Sequence, residues 1–139
     1  MKIYFTGSIS GGRNDQSIYF EIINYLKTKG KVLTEHIANS NLSSYGETNL
    51  TREEIYTRDV AWIKESDVLI AEVTQVSLGV GYELGLAENL NKKIICLYRE
   101  KEGKKLSAMI SGNKNFKVII YKKIEEVYKK LSELLWKVN

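Results

Sequence analysis

Proline is absent from the 139 residues, and cysteine and histidine occur once each. A single cysteine excludes an internal disulfide, and Cys96, inside Ile94-Ile95-Cys96-Leu97, reads as a small buried core residue. A single histidine with no cysteine nearby makes a poor zinc site, so no metal or other cofactor is expected. No apolar run approaches the roughly 20 residues of a membrane span, so no membrane partner is expected. Met1-Lys2-Ile3-Tyr4-Phe5 runs straight into a strand-like pattern rather than a secretory signal, and a cytoplasmic location is expected. Charge of one sign is also scarce, with a formal net of +4. The C-terminal lysines (Lys117, Lys122, Lys123, Lys129, Lys130) alternate with Glu125, Glu126 and Glu133. That is a solvated helix face rather than a nucleic-acid footprint, so no nucleic acid polymer is expected and a small anionic substrate fits better.

What is present is ordinary for a globular chain: 43% hydrophobic and 27% charged residues. One domain over 1–139 is the simplest reading of the length, without linker or repeat. Ile3-Tyr4-Phe5-Thr6 is a first strand ending at Gly7-Ser8. The loop 7–13 is rich in small residues, which lets backbone amides approach a ligand, and Arg13 adds a possible phosphate partner. A plain turn would look similar. Asp15 reads as the cap of a helix with Tyr19, Ile22, Ile23 and Leu26 on its inner face. Residues 31–34 read as the second strand, with His36 just beyond it, where either a structural hydrogen bond or a substrate contact is open. Residues 37–50 form a long polar segment, read as a lid, a binding loop or disorder.

Thr51-Arg52-Glu53-Glu54 is a capping box opening a helix. Asp59 falls on the same stripe as Ile55, Trp62 and Ile63, where a carboxylate is costly unless paired, hydrogen-bonded or opened to a cleft. A third strand over 68–73 leads through Ser77, a good N-cap, into a helix over 77–91. Gly79 and Gly81 leave its first turn bare, so a phosphate can sit against the amides at the positive end of the dipole. Glu83 follows about one turn later. A phosphate does not need it; it is read either as chemistry or as a complement to the helix dipole. A fourth strand (93–98), a short helical piece (106–110), a fifth strand (117–121) and a last helix carrying Ile124, Val127, Tyr128, Leu131 and Leu135 complete the chain.

Strands alternating with helices imply an α/β fold, a doubly wound five-stranded parallel sheet of Rossmann/flavodoxin-like order 2-1-3-4-5. Its switch point lies between the first and third strands, which makes the loops 7–13 and 74–81 neighbours around one crevice.

The blocks Tyr4-Phe5-Thr6-Gly7-Ser8-Ile9, Leu33-Thr34-Glu35-His36, Ser77-Leu78-Gly79-Val80-Gly81-Tyr82-Glu83-Leu84-Gly85 and Leu106-Ser107-Ala108-Met109-Ile110 resemble the 2′-deoxynucleoside 5′-monophosphate N-glycosidases of the nucleoside 2-deoxyribosyltransferase superfamily. The resemblance covers nearly the whole chain, in order and with similar spacing. It implies hydrolysis of the N-glycosidic bond to free base and 2-deoxyribose 5-phosphate, with Glu83 as nucleophile and a glycosyl-enzyme intermediate. Asp59 matches the second carboxylate, assisting base departure or orienting the sugar, and Tyr4 a tyrosine that holds the nucleophile. Ser8, Ser77 and Gly79 match the 5′-phosphate pocket, His36 the base side, and Ser107 a serine reaching the phosphate from the partner of a homodimer. Gly7, Ile9, Arg13 and Met109 complete the substrate-binding set. Two positions depart from the family pattern: Ser10 stands where arginine is frequent and Val76 where proline is common. Either Arg13 compensates for the missing charge or phosphate is held more weakly. The alternatives are a deoxyribosyltransferase, a ribonucleotide (CMP-type) N-glycosidase, or, in another class, a nucleotide-binding module without chemistry.

Overall fold

A computed structural model describes residues 1–9, 15–38 and 49–136. Arg13, Ser10 and most of the segment 37–50 lie outside the described residues. Five strands, β1 (Lys2–Gly7), β2 (Lys31–Val32), β3 (Val68–Glu72), β4 (Lys93–Arg99) and β5 (Phe116–Tyr121), form one parallel sheet of order β2-β1-β3-β4-β5. The sheet has the order expected from the alternation of strands and helices.

Period-two alternation assigns each strand residue to one of two cores. Ile3, Phe5, Val68, Ile70, Ile95 and Leu97 face α1 (Gln16–Lys27) and α5 (Ile124–Leu135), which contribute Tyr19, Ile22, Leu26, Val127 and Leu131. Tyr4, Leu69, Ala71, Ile94 and Cys96 face the other way, onto Ile63 of α2 (Arg52–Glu65) and Val80, Leu84 and Ala87 of α3 (Leu78–Asn89). A short α4 (Ala108–Ser111) packs Ile110 on this second face. β3 is buried on both sides throughout, as a central parallel strand must be.

Several boundaries differ from the sequence reading. β2 stops at Val32 because Thr34 takes over the pairing with its side chain. The Phe5 N–H donates to Thr34 Oγ1 at 2.9 Å, and that hydroxyl donates to the Phe5 carbonyl. The chain then turns into a 3₁₀ helix, Glu35–Ala38, which carries His36. Asp15 stands before α1 without a side-chain capping bond, since its carboxylate is engaged by Arg99 at 2.6 Å. The capping box of α2 forms as read: Glu54 N–H donates to Thr51 Oγ1 at 3.1 Å and Thr51 N–H to Glu54 Oε1 at 2.9 Å.

β1 and β3 are neighbours whose following helices lie on opposite faces, so the two loops diverge at their C-terminal ends. Gly7 and Glu72 are register partners there. That divergence is where an open α/β sheet makes its crevice.

Candidate active site

A cavity of about 920 Å³ opens at this crevice. Its walls come from the end of β1 (Tyr4, Thr6, Gly7), Ile9, His36, Asp59 on α2, and Ser77, Gly79 and Glu83 at the start of α3. Residues separated by up to 79 positions therefore share one wall.

Glu83 is the most constrained of them. Tyr4 Oη donates to Glu83 Oε2, and Thr6 Oγ1 donates to Oε1 at 2.9 Å. With one O–H on each oxygen, the carboxylate plane is fixed. Burial pushes its pKa up to about 7; the Tyr4 and Thr6 hydrogen bonds pull against that, and the charge of Asp59 adds to it. The phenol of Tyr4 is pushed well above its usual range, first by burial and then by the neighbouring Glu83 and Asp59 charges, so it stays a donor.

Asp59 is half-buried at the cavity wall rather than packed in the core. Arg58 Nε and Nη2 both donate to its Oδ1, at 3.0 and 2.9 Å. The same guanidinium stacks over Trp62, 4.7 Å from the ring centre, and reaches His36 Nε2 at 3.4 Å. Because arginine only donates, the Nε2 of His36 faces it as an acceptor. His36 thus stands on the cavity wall beside Asp59, and its contact with Arg58 is the structural hydrogen bond that was one of its two readings from sequence.

At the α3 end, Ser77 is the N-cap: its Oγ accepts the Val80 N–H at 3.3 Å. Gly81 N–H is already taken by the Ser77 carbonyl at 3.1 Å, so it is not available to an anion as the sequence suggested. Only the first amides of α3, Leu78 and Gly79, lack an acceptor within the helix by geometry. A Cβ built on Gly79 or Gly81 meets nothing within 4 Å, so the protein itself does not require glycine there. Gly7 is different, for its missing Cβ would lie 2.7 Å from the Tyr19 ring. Its smallness is required by packing on the far face, while its backbone lines the cavity. Ser8 is fully buried, and its hydroxyl has no hydrogen-bond partner among the described residues.

Ser107 and Met109 are not brought to this cavity within the same chain. Ser107 caps α4, accepting the Met109 N–H at 3.2 Å, and Met109 is 82% exposed. Arg13 lies outside the described residues. Among the described residues no three His, Cys, Asp or Glu side chains gather as a metal site, and no helix is long and apolar enough to cross a membrane.

Thr6 and Arg58 were missed in the sequence. The signal for Thr6 was present: two residues after Tyr4 on a strand, it must share Tyr4's face. Arg58 carried no such signal, since a charged residue beside Asp59 on a helix ordinarily points to solvent.

A family model described as nucleoside 2-deoxyribosyltransferase matches residues 3–117. A 5-hydroxymethyl-dUMP N-hydrolase of Esox lucius is 49% identical over 144 residues, covering 96% of this chain and 99% of that protein. The protein of the same name in Danio rerio is 55% identical over 112 residues, covering 81% and 78%. Among solved structures, the CMP N-glycosidase of Clostridium botulinum superposes with a TM-score of 0.68 at 25% identity, covering 96% of this chain and 99% of that one.

Proposed function

This chain belongs to the nucleoside 2-deoxyribosyltransferase family, and from that premise we propose that it hydrolyses the N-glycosidic bond of 2′-deoxynucleoside 5′-monophosphates to free base and 2-deoxyribose 5-phosphate. The observation that carries the reading is the Glu83 carboxylate, held at both oxygens inside a cavity that also contains an N-capped glycine turn.

In this reading Glu83, ionised, attacks C1′. The C1′–N bond breaks, its electron pair leaves with the base, and a glycosyl ester forms on Glu83. Water then adds at C1′ as the ester C–O bond breaks to return the carboxylate, and the proton the water gives up balances the one the departed base takes on. Splitting the displacement in two lowers each barrier. Tyr4 and Thr6 aim the carboxylate. Asp59, already paired with Arg58, is better suited to accept from a sugar hydroxyl than to donate a proton to the base. Ser77, the Leu78 and Gly79 amides and the buried Ser8 hydroxyl receive the 5′-phosphate, with Gly7, Ile9 and Arg13 completing that end and His36 on the base side.

Two copies pair, and Ser107 with Met109 reaches the partner's site. The support is exposure: Met109, Val76 (95%) and Leu78 (94%) are apolar and open to solvent, the last two at the cavity rim. The pairing is tested by mixing Glu83→Gln and Ser107→Ala chains. Each is weak alone, while the mixed dimer has one intact site and regains activity. A lack of rescue with dimers present overturns the contribution in trans.

The reaction is tested by base release from the four deoxynucleoside monophosphates and 5-hydroxymethyl-dUMP, beside deoxyguanosine, GMP and CMP. Release from deoxynucleotides only, lost in Glu83→Ala, supports the proposal. Release from CMP or GMP keeps the mechanism and overturns the sugar assignment. Binding without any release moves the non-catalytic module to first place.

A further inference from the structure

On the face of the sheet away from Glu83, a buried polar network lies at the C-terminal ends of β3, β4 and β5. Glu72, at the end of β3, is fully buried. Its Oε1 accepts the Thr74 N–H at 2.7 Å, and its Oε2 accepts from Tyr121 Oη at the end of β5. Thr74 Oγ1 in turn accepts the Arg99 N–H at 2.8 Å, and the Arg99 guanidinium pairs with Asp15 at 2.6 Å. Asp15 stands at the head of α1, where the first loop rejoins the helix; Thr74 opens the second loop, which runs to the Ser77 cap of α3. One chain of contacts therefore ties the ends of both loops to the ends of β3, β4 and β5.

Two buried carboxylates, with a guanidinium partly withdrawn from water, are often no more stabilising than an apolar packing of the same volume. Stability alone is a poor reason for them. Burial pushes the Glu72 carboxyl above its usual range, with Tyr121 and Thr74 pulling it down. Its two hydrogen bonds fix where the Thr74 amide and the Tyr121 phenol stand relative to it. What they set is the turn at Thr74, and through it the placement of Ser77 and the first amides of α3. Glu83 is gripped separately, from the opposite face, by Tyr4 and Thr6.

We infer that Glu72 and Tyr121, with Arg99 and Asp15 behind them, are positioning residues for the anion-binding end of the cavity, acting through the Thr74 turn and leaving the chemistry at Glu83 untouched. The inference rests on the phosphate reading above.

The division between the two faces gives a test that a merely structural role would not pass. In Tyr121→Phe, which removes a single oxygen, KM for a deoxynucleoside monophosphate rises about tenfold, the scale of one hydrogen bond to a charged group. Binding of 2-deoxyribose 5-phosphate, measured by calorimetry, weakens by the same factor. kcat stays within about twofold, and the acidic limb of the pH profile, which belongs to Glu83, does not move. Arg99→Lys keeps the charge but loses the fork, and serves as the second variant if Tyr121→Phe folds poorly. A fall in kcat at constant KM, an equal change in both, or a lowered melting temperature with unchanged sugar-phosphate binding overturns the inference. If the wild type binds 2-deoxyribose 5-phosphate but hydrolyses nothing, the proposed reaction fails while the calorimetric comparison still tests the network.

Discussion

Tyr4 and Glu83, 79 residues apart, share a hydrogen bond in which the phenol donates to the carboxylate, and Thr6 closes the other oxygen from the same strand. A strand residue and a helix residue meet this way because α3 packs on β3, the neighbour of β1, on the face that Tyr4 and Thr6 share. The clamp does two things at once. It orients the carboxylate, and it offsets part of the cost of burying a charge.

The ionisation of Glu83 sets the pH response. Burial pushes its pKa up to about 7, and in the proposed reaction Glu83 attacks in its charged form, so kcat/KM is expected to rise with pH and to level off above neutrality. Tyr4→Phe and Thr6→Val each remove a bond that favours the charged form, so both move the acidic limb upward. Asp59→Asn removes a repelling charge and moves it downward, whatever it does to the rate. pH–rate profiles of the four proteins check these three directions together.

Glu83→Gln abolishes turnover, by on the order of a thousandfold or more. The same change stabilises the fold at alkaline pH. The folded-state pKa is raised from 4.5 to about 7, so the native protein holds an extra proton between those values. The stability this proton gives is complete below 4.5 and lost as pH rises through 7. The variant therefore melts above the wild type at pH 8, by up to about 3 kcal/mol, and the difference closes on acidification. Melting curves at pH 5 and pH 8 decide it.

The glycines separate packing from binding. Gly7→Ala drives a methyl into the Tyr19 ring and destabilises by roughly 1–3 kcal/mol. Gly81→Ala faces open space and gains helix propensity, about 0.5–1 kcal/mol. Gly79→Ala is tolerated by the fold but crowds the anion site, so its KM rises while its melting temperature does not fall. Chemical denaturation beside steady-state kinetics reads both effects.

Cys96 is buried in β4, and burial pushes its thiol up to about 12. A thiol held that far from its reactive form is inert. A thiol reagent at pH 8 labels the native protein negligibly and labels it once after denaturation; stoichiometric native labelling contradicts the burial.

The sequence by itself determined the sheet. Strand and helix periods, the capping box at Thr51 and the Ser77 cap are local properties, and their alternation along the chain fits the parallel order that makes β1 and β3 neighbours. Ser77 and Glu83 were legible because they follow the loop to which that topology points, and Tyr4 only through the family resemblance. Tertiary structure alone decided which polar groups meet. Asp15 reads as a helix cap and instead pairs with Arg99, 84 residues away; Thr34 reads as strand and instead bridges β1 with its hydroxyl. Gly81 reads as a free amide and is spent on its own helix. In each case several partners of similar local worth compete for one donor or acceptor. The winner is set by which groups the packing brings within hydrogen-bond reach, and that is a property of the packed molecule.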